Sequence, residues 1–335
     1  MTLSFTRKKL YDWSIEYAIY LVLLGLILTI SIQDPGFFSW SSLRNILLAS
    51  STRTIIALGT AFVLVSGGVD LSVGRVVGLA AVVSASFLQG LSYPRRFYPQ
   101  LDALPLWLPI VIAVAAGIAV GLANGLIVAR LRVPPFIATL GSMVIVYGLN
   151  LLYFDRPPNS SQPIGGLRDD FTFLGSGDIL GVPIIILLAM ICAVVCWIIF
   201  NKTVLGKNLY AIGGNKDAAR VAGINVESTL IIIYAIAGAL AAFAGVLEAA
   251  RSGGAKSNYG EMYELDAIAA CVVGGVSTTG GIGTIPGVVA GVLIFAVINY
   301  GLTFIGMDPN LQFIVKGLII VVAVAIDTRK YLTKS

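Results

Sequence analysis

Apolar stretches of about 20 residues follow one another along almost the entire chain, and no other feature constrains the fold as strongly. A helix needs that length to cross the hydrocarbon core of a membrane, where it satisfies its own backbone hydrogen bonds. With 57% hydrophobic and only 12% charged residues over 335 positions, a soluble domain is excluded. The sequence therefore predicts an all-α fold, a polytopic transmembrane helical bundle that forms a single domain over residues 1–335 and contacts membrane lipid.

The apolar stretches accommodate about ten spans. We place them approximately at residues 14–33, 46–66, 73–91, 106–129, 136–154, 182–200, 229–249, 263–277, 284–304 and 311–327. The second and the eighth contain Gly and small polar residues, so we expect these two to be broken or re-entrant. Irregular backbone persists at membrane depth only where it is buried in protein or lines a cavity.

The Lys and Arg residues predict the orientation, and the net charge of +5 does not indicate nucleic-acid binding in a membrane protein. The first apolar stretch follows a basic start and lacks a small-residue cleavage site, so we expect it to remain as an anchor. With the N-terminus inside, most of the 22 Lys and Arg residues fall in inside segments: Arg7, Lys8, Lys9, Arg75, Arg130, Arg132, Lys202, Lys207, Lys216, Arg220, Arg329, Lys330 and Lys334. The positive-inside rule then places both termini in the cytoplasm.

One polar segment, residues 205–226, interrupts the apolar pattern on the predicted inside. Asn215 is suited to cap a short helix that begins at Lys216, with Asp217 in its first turn, Arg220 further along and Gly223 at its end. Gly213 and Gly214 would allow a sharp entry. The segment predicts a compact helix on the membrane face that docks onto a soluble partner.

Two segments on the predicted outside are polar. Residues 154–181 are rich in Pro, Gly, Ser and Asp, which is typical of an ordered or semi-ordered loop. Residues 247–266 carry Glu248, Glu261, Glu264 and Asp266 against Arg251 and Lys256. The second segment is either a solvated loop or a docking face for a soluble external protein, in which charge provides orientation.

A faint internal repeat relates residues 66–78 to residues 273–287, each with a Gly-Gly-Val core between two apolar stretches. Paired Gly-broken segments are typical of duplicated transporter folds and often mark the pathway. Alternatively, Gly is frequent in membrane helices because it allows close packing. The sequence leaves open whether the repeat is inverted or parallel.

Polar residues within the spans are the candidates for a pathway. For Asp70 we favour a structural role, in which it accepts hydrogen bonds from backbone amides and caps a helix beginning near Leu71, over contact with a substrate. Lys316 is interpreted as an anchor that reaches the interface; the alternatives are a buried pair with Asp266 or Asp308, or a residue that lines the pathway. Uncharged polar groups such as Thr139 commonly join helices. The candidates for the pathway or its surroundings are Ser66, Gly67, Gly68, Asp70, Asn124, Asn150, Asn299 and Lys316.

Several chemistries are missing from the sequence. There is no phosphate-binding loop of the G-x-x-x-x-G-K-[ST] type, since Gly206-Lys207-Asn208 lacks the first glycine and the hydroxyl residue. The chain contains no His and no Ser/His/Asp set, so we predict no enzyme activity and no cofactor or metal in this chain. Its three cysteines lie in apolar stretches, where we expect small core residues and no disulfides: Cys192, Cys196 and Cys271.

Several motifs carry a family resemblance. SGGVDLSVGRVVGLAAVV (66–83), PPFIATLGSM (134–143), GKNLYAIGGNKDAARVAGINV (206–226), ELDAIAACVVGGVSTTGGIGT (264–284) and VINYGLTFIG (297–306) are similar to segments of the ribose/galactose-type permeases of bacterial ABC importers. The resemblance runs from about residue 15 to residue 330, and it is greatest to permeases of galactose and methyl galactoside importers. Ribose, xylose or another small sugar is the alternative.

The resemblance implies a set of partners. It implies a homodimer in the bacterial inner membrane, a separate ATPase subunit that holds ATP and Mg²⁺, a periplasmic sugar-binding protein, and a sugar that is held weakly. Residues 213–223, with Gly213, Gly214, Asn215, Asp217, Arg220 and Gly223, would then couple the permease to the ATPase. Two other classes remain as alternatives, an ion-coupled secondary carrier and an intramembrane enzyme, although the sequence offers few embedded carboxylates for the first and no His-based site for the second.

Overall fold

The computed structural model of the protein describes Leu28 and residues 35–332. Apart from Leu28, the predicted span at 14–33 lies outside this part of the chain. The described residues are predominantly helical, which confirms the all-α polytopic fold. In chain order the helices are α1 Trp40–Val65, α2 Val73–Phe87, α3 Trp107–Ala129, α4 Pro135–Asp155, α5 Asp169–Ser176, α6 Ile184–Lys202, α7 Val204–Gly214, α8 Lys216–Val221, α9 Val226–Ser252, α10 Tyr263–Val273, α11 Ile285–Phe304 and α12 Pro309–Leu332.

Six of these helices are long and apolar enough to cross a membrane: α1, α3, α4, α6, α9 and α11. The third and eighth predicted spans correspond to shorter helices, α2 with 15 residues and α10 with 11. A short β-hairpin joins α5 to α6. Its strand β1 Asp178–Ile179 is antiparallel to its strand β2 Val182–Pro183. The total of about ten spans stays a prediction.

The helices begin where the sequence supplies suitable caps. The Ser39 hydroxyl accepts a hydrogen bond from the Ser42 amide at 3.2 Å at the start of α1, and the Thr284 hydroxyl accepts one from the Gly287 amide at 3.2 Å at the start of α11. Pro occupies one of the first two positions of both α4 and α11, where its missing N–H costs no helical hydrogen bond.

The second predicted span is not broken. Helix α1 runs without interruption for 26 residues, and hydroxyls along it bond back to their own helix, as Thr60 does to the Ile56 carbonyl at 3.1 Å. Its Gly59 lies against α9, where a Cβ atom would come within 3.1 Å of the Ala237 Cα atom. The small residues of α1 therefore permit close helix packing and do not interrupt the helix, so this prediction was wrong.

Two non-helical segments enter the membrane region from opposite faces. Residues 66–72 follow α1 and lead into the short helix α2, which runs back toward the face where residues 156–183 lie. Residues 253–262 follow α9 and lead into the short helix α10, which runs toward the face where residues 203–225 lie. The two segments meet at Gly74 and Gly260, whose backbones are in direct contact.

These paired segments belong to an inverted repeat. Helices α1 to α4 and α9 to α12 follow the same order (a long helix, a non-helical segment, a short helix and two more helices), but they run in opposite directions across the membrane. The packing repeats as well, because α2 contacts α3 and α4 just as α10 contacts α11 and α12. Between the repeats, α9 packs on α2 and α3 as α1 packs on α10 and α11. The duplication is therefore inverted.

The sequence likeness between residues 66–78 and 273–287 does not coincide with this repeat. Both Gly-rich segments lie at the same face, where the Gly281 amide donates to the Val65 carbonyl at 2.8 Å. Equivalent parts of an inverted repeat lie at opposite faces, and residues 66–72 correspond instead to residues 253–262. The likeness marks two segments that pack against each other.

Candidate functional site

The docking segment, residues 205–226, folds as two short helices at one face of the bundle. The predicted cap is confirmed, because the Asn215 Oδ1 atom accepts hydrogen bonds from the Asp217 amide at 3.1 Å and from the Ala218 amide at 2.9 Å. Gly223 follows α8 with a φ of 85°, the left-handed conformation that ends many helices. A cap at each end makes α8 a defined element in a short loop.

Gly213 and Gly214 do not form the expected turn. Both lie in the last turn of α7, and the chain changes direction at Asn215 instead. A Cβ atom at Gly213 would lie closer than any real Cβ contact to the Val65 carbonyl oxygen and the Gly281 amide nitrogen, whereas nothing lies within 4 Å of Gly214. Gly213 therefore serves the close approach of the docking segment to the end of α1.

The outer side of α8 is fully available to a partner. Lys216, Asp217 and Arg220 are exposed, and the apolar Val221 side chain is 91% exposed. On the inner side, Ala219 packs on Ile212 and Leu230 and fixes α8 to α7 and α9. A rigid helix with an exposed apolar tip between charged groups is suited to seat in a groove of another protein.

A cavity of about 350 Å³ opens beside the docking segment. It joins two sets of candidates that the sequence treated separately, because Lys216, Asp217 and Arg220 form one wall and Ser66, Gly67 and Gly68 form another. The sequence did not indicate the other lining residues, which come from the end of α3, the turn into α4, α7 and α9: Val128, Ala129, Arg132, Val133, Pro134, Pro135, Ile212, Leu230 and Tyr234.

Asp70 lies beneath this cavity and is only 1% exposed. Its Oδ1 atom accepts hydrogen bonds from the Ser72 amide at 2.8 Å and the Ser72 hydroxyl at 2.6 Å, immediately before α2 begins at Val73. The network continues to Asn124, which donates to the Ser72 hydroxyl at 2.9 Å and accepts from Ser142. Asp70 and Asn124 thus hold the 66–72 segment to α3 and α4, and neither lines the cavity.

Residues 247–266 are not an external loop. Glu248 is part of α9 and 7% exposed, Glu264 is part of α10 and 6% exposed, and the chain between these helices descends along α2 and α4. Asn150 of α4 holds this descending segment, donating to the Ser257 carbonyl at 3.0 Å. Both interpretations, a solvated loop and an external docking face, were wrong, because its charged residues mark a re-entrant segment.

Lys316 pairs with a partly buried carboxylate. Its Nζ atom lies 3.9 Å from Asp266 Oδ2, and Arg53 of α1 lies 4.0 Å from the same oxygen. Arg53, Asp266, Tyr263 and Asn299 line a cavity of about 10 Å³, room for one water molecule. The preferred interpretation of Lys316 as an interfacial anchor was wrong; of its alternatives, the structure shows the pair with Asp266, and this pair is partly buried.

Arg53 and Arg75 are the charged residues that the sequence argument misplaced. Both fall inside predicted spans, and Arg75 was assigned to an inside segment, yet the structure puts them within α1 and α2. The Arg75 guanidinium lies 4.3 Å from the centre of the Tyr147 ring and 3.9 Å from Glu261. Their position within apolar stretches was a signal that could have identified them as charged residues inside the helices.

At the opposite face, residues 156–183 are ordered, as expected. Helix α5 packs on α9, and the hairpin is tied to α1 by the Arg44 guanidinium, which donates to both oxygens of Asp178 at 2.8 Å. Leu180 at the hairpin tip is fully exposed.

Comparison with known proteins gives close relatives. A family model described as "Branched-chain amino acid transport system / permease component" matches residues 42–324. The chain is 50% identical over 335 residues to the galactose/methyl galactoside import permease protein MglC of Salmonella typhimurium and to that of Escherichia coli K12, with 99% of each chain covered. It is 39% identical over 313 residues to the ribose import permease protein RbsC of Bacillus subtilis, covering 93% of this chain and 92% of that one. No solved structure gave a match.

Proposed function

Because this chain belongs to the family of transport-system permease components, we propose that it is the membrane-spanning subunit of an ABC importer for galactose and methyl galactosides. The observation that carries the sugar assignment is the greater identity to galactose/methyl galactoside import permeases than to ribose import permeases, over nearly the whole chain. Ribose, xylose or another small sugar is the alternative substrate.

The energy comes from a separate ATPase subunit that holds ATP and Mg²⁺. The exposed side of α8 is the surface that seats in this ATPase, with Val221 as an apolar tip and Lys216 and Arg220 setting the orientation by charge. This assignment places the docking segment in the cytoplasm, in agreement with the positive-inside rule.

The structure suggests how movement of the ATPase reaches the pathway. Within the docking segment, Gly213 contacts the backbone of α1 at Val65 and that of the 274–284 segment at Gly281. Ser66, Gly67 and Gly68, which directly follow Val65, line the cavity. A displacement of α8 therefore changes the shape of this cavity directly. The permease alternates between inward-open and outward-open states as the ATPase closes and opens.

The other partners meet the chain at different surfaces. A second copy of the chain completes the translocation pathway in the bacterial inner membrane. A periplasmic sugar-binding protein docks at the face formed by residues 88–106 and 156–183, since residues 253–262 are occupied within the bundle. The exposed hairpin tip and its ion pair to α1 supply a firm contact on that face.

Ion-coupled transport by the chain alone is the second class, and it would use embedded carboxylates. Asp266 is flanked by both Arg53 and Lys316, so this carboxylate already has two cationic partners within 4.0 Å. The pairing favours a structural use of this acid.

The proposal is tested by reconstituting the permease with its ATPase and binding protein in vesicles and measuring uptake of radioactive galactose. We expect uptake that requires ATP, fails with a non-hydrolysable analogue and is reduced by unlabelled galactose more than by ribose. Uptake by the permease alone, driven by a proton or sodium gradient, would instead identify a secondary carrier. Preference for ribose over galactose would overturn the sugar assignment and leave the class intact.

A further inference from the structure

The re-entrant segment 253–262 reaches the middle of the membrane. Its deepest part adjoins Gly74, which lies about 20 Å along α2 from the end at Phe87. From the same point, α10 runs about 16 Å to the opposite face. The hydrocarbon core is about 30 Å thick, so residues 260–263 lie near its centre.

Polar groups on this segment are exposed at that depth. The Glu261 side chain is 56% exposed, and Lys256 and Asn258 are exposed further up the segment. An open carboxylate cannot face lipid tails, and non-helical backbone is tolerated at membrane depth only in protein or beside water. The exposed side of the segment therefore faces a water-filled passage.

Glu261 lies where three elements meet. Arg75 of α2 lies 3.9 Å from its Oε1 atom, and the same guanidinium lies 4.3 Å from the centre of the Tyr147 ring of α4. On the other side, α10 and α12 carry the ion pair of Asp266 and Lys316. Glu261 is thus an exposed acid between two sets of partly buried charges.

The hydrogen-bonding capacity of this cluster is not fully used. Among the described residues, no partner lies within hydrogen-bond distance of Arg75 Nη1 or of the buried Glu264 Oε2 atom, which is packed against Gly74. At 3.9 Å, the Arg75–Glu261 pair is longer than a hydrogen bond. The Arg75 and Glu264 atoms are enclosed in protein, whereas the Glu261 carboxylate is open and is not held by a hydrogen bond to Arg75, so Glu261 is the group of this cluster that a ligand in the passage reaches.

We propose that Arg75, Glu261 and Tyr147 form a contact site for the sugar at the middle of the passage. A guanidinium and a carboxylate together donate to and accept from neighbouring hydroxyls of a neutral monosaccharide, and the aromatic ring offers an apolar surface for its C–H groups. The net charge of the pair is zero, which suits an uncharged substrate. This inference rests on the proposed transport function and specifies where the substrate is met.

The first test asks whether Glu261 faces water. In the assembled complex with its ATPase and binding protein, the Glu261→Cys variant is treated with a membrane-impermeant cationic thiol reagent, at rest and in an ATP-trapped state. The matched control is Val194→Cys on α6, which is 56% exposed on an apolar face at similar depth, and the unsubstituted protein gives the background of its three cysteines.

We expect the thiol of the Glu261→Cys variant to react at least about tenfold faster than the thiol of the Val194→Cys variant in one of the two states, because only hydrated thiolate reacts. Asn258→Cys, on the same exposed side, is the second reporter if the first variant does not assemble. Equal, slow reaction of both reporters and the control in both states would overturn the proposal.

The second test asks whether Glu261 contacts the sugar. Uptake of galactose and of a series of monodeoxygalactoses is compared between the wild type and Glu261→Gln. We expect about a tenfold loss of galactose uptake, and a smaller difference between galactose and one of the deoxy sugars, because the contacted hydroxyl has lost its charged partner. A purely structural role lowers uptake of every sugar by the same factor, and that result would overturn the contact.

The proposed substrate and the proposed mid-membrane site can be refuted independently of each other. If the wild-type complex takes up no galactose with ATP, the proposed substrate is wrong, while the labelling still reports whether a passage lies at Glu261. If uptake is normal and the reporters do not react, only the mid-membrane site is wrong.

Discussion

The contact of Gly213 with the end of α1 yields the sharpest prediction, because the neighbouring glycine is a matched control. A methyl group at Gly213 would lie under 3.0 Å from main-chain atoms of Val65 and Gly281, and neither can move aside as a flexible side chain would. The same methyl group at Gly214 meets nothing within 4 Å. Both positions lie at the end of α7, so helix propensity changes equally in the two variants.

The magnitudes follow from these contacts. Overpacking against fixed backbone costs about 1–3 kcal/mol, and the hydrogen bond from the Gly281 amide to the Val65 carbonyl contributes about 1 kcal/mol that is at risk. Replacing Gly by Ala in a helix returns up to about 1 kcal/mol. We therefore expect Gly213→Ala to lose about 1–3 kcal/mol, and Gly214→Ala to be neutral or more stable by up to about 1 kcal/mol.

The assay measures the thermal unfolding midpoint in detergent, and galactose taken up per ATP hydrolysed by the reconstituted complex. Because Gly213 is the point at which the docking segment contacts the end of α1, Gly213→Ala should lower transport per ATP as well as the midpoint. Gly214→Ala should retain both. If the two variants behave alike in stability and coupling, the close approach at Gly213 does not transmit movement.

Three other predictions concern the site. Asn215→Ala removes the acceptor for two amides at the start of α8 and should cost about 1 kcal/mol of local stability, measured as faster hydrogen exchange in residues 216–221 and weaker co-purification with the ATPase. Lys316→Met should lower the unfolding free energy by about 1–2 kcal/mol, less than for a fully buried pair because Arg53 still faces Asp266, and Lys316→Arg should recover most of the loss in a thermal melt. Asn124→Leu leaves Ser72 and Ser142 without their amide partner and should cost about 1–3 kcal/mol, whereas an unchanged melting midpoint would show that the network is not structural.

The sequence predicted the helices well and their arrangement only in part. Length and hydrophobicity located the six described span-length helices to within six residues at each end, because an apolar helix must match the thickness of the membrane. The capped helix α8 was also predictable, since Asn215 and Gly223 act locally. These features depend on residues that are near one another in the chain.

What could not be predicted depends on tertiary contacts. Lys256, Asn258 and Glu261 have the composition of an external loop, and composition does not distinguish a solvated loop from a segment beside a water-filled passage. Gly213 has two possible uses, a turn or a close approach, and only the position of Val65 decides between them. The polar candidates were likewise dispersed by the fold: Ser66 lines the cavity, whereas Asn299 lies in a separate small cavity.

The inverted repeat also bears on the direction of transport. Two halves related by a two-fold axis in the membrane plane form a scaffold that is equivalent seen from either side, so the repeated helices alone favour neither import nor export. Among the described residues, the part between the two repeats, residues 156–225, breaks this equivalence, because it places a hairpin at one face and the docking segment at the other with α6 between them. This insertion gives the duplicated scaffold two different faces, and each face can therefore receive a different partner.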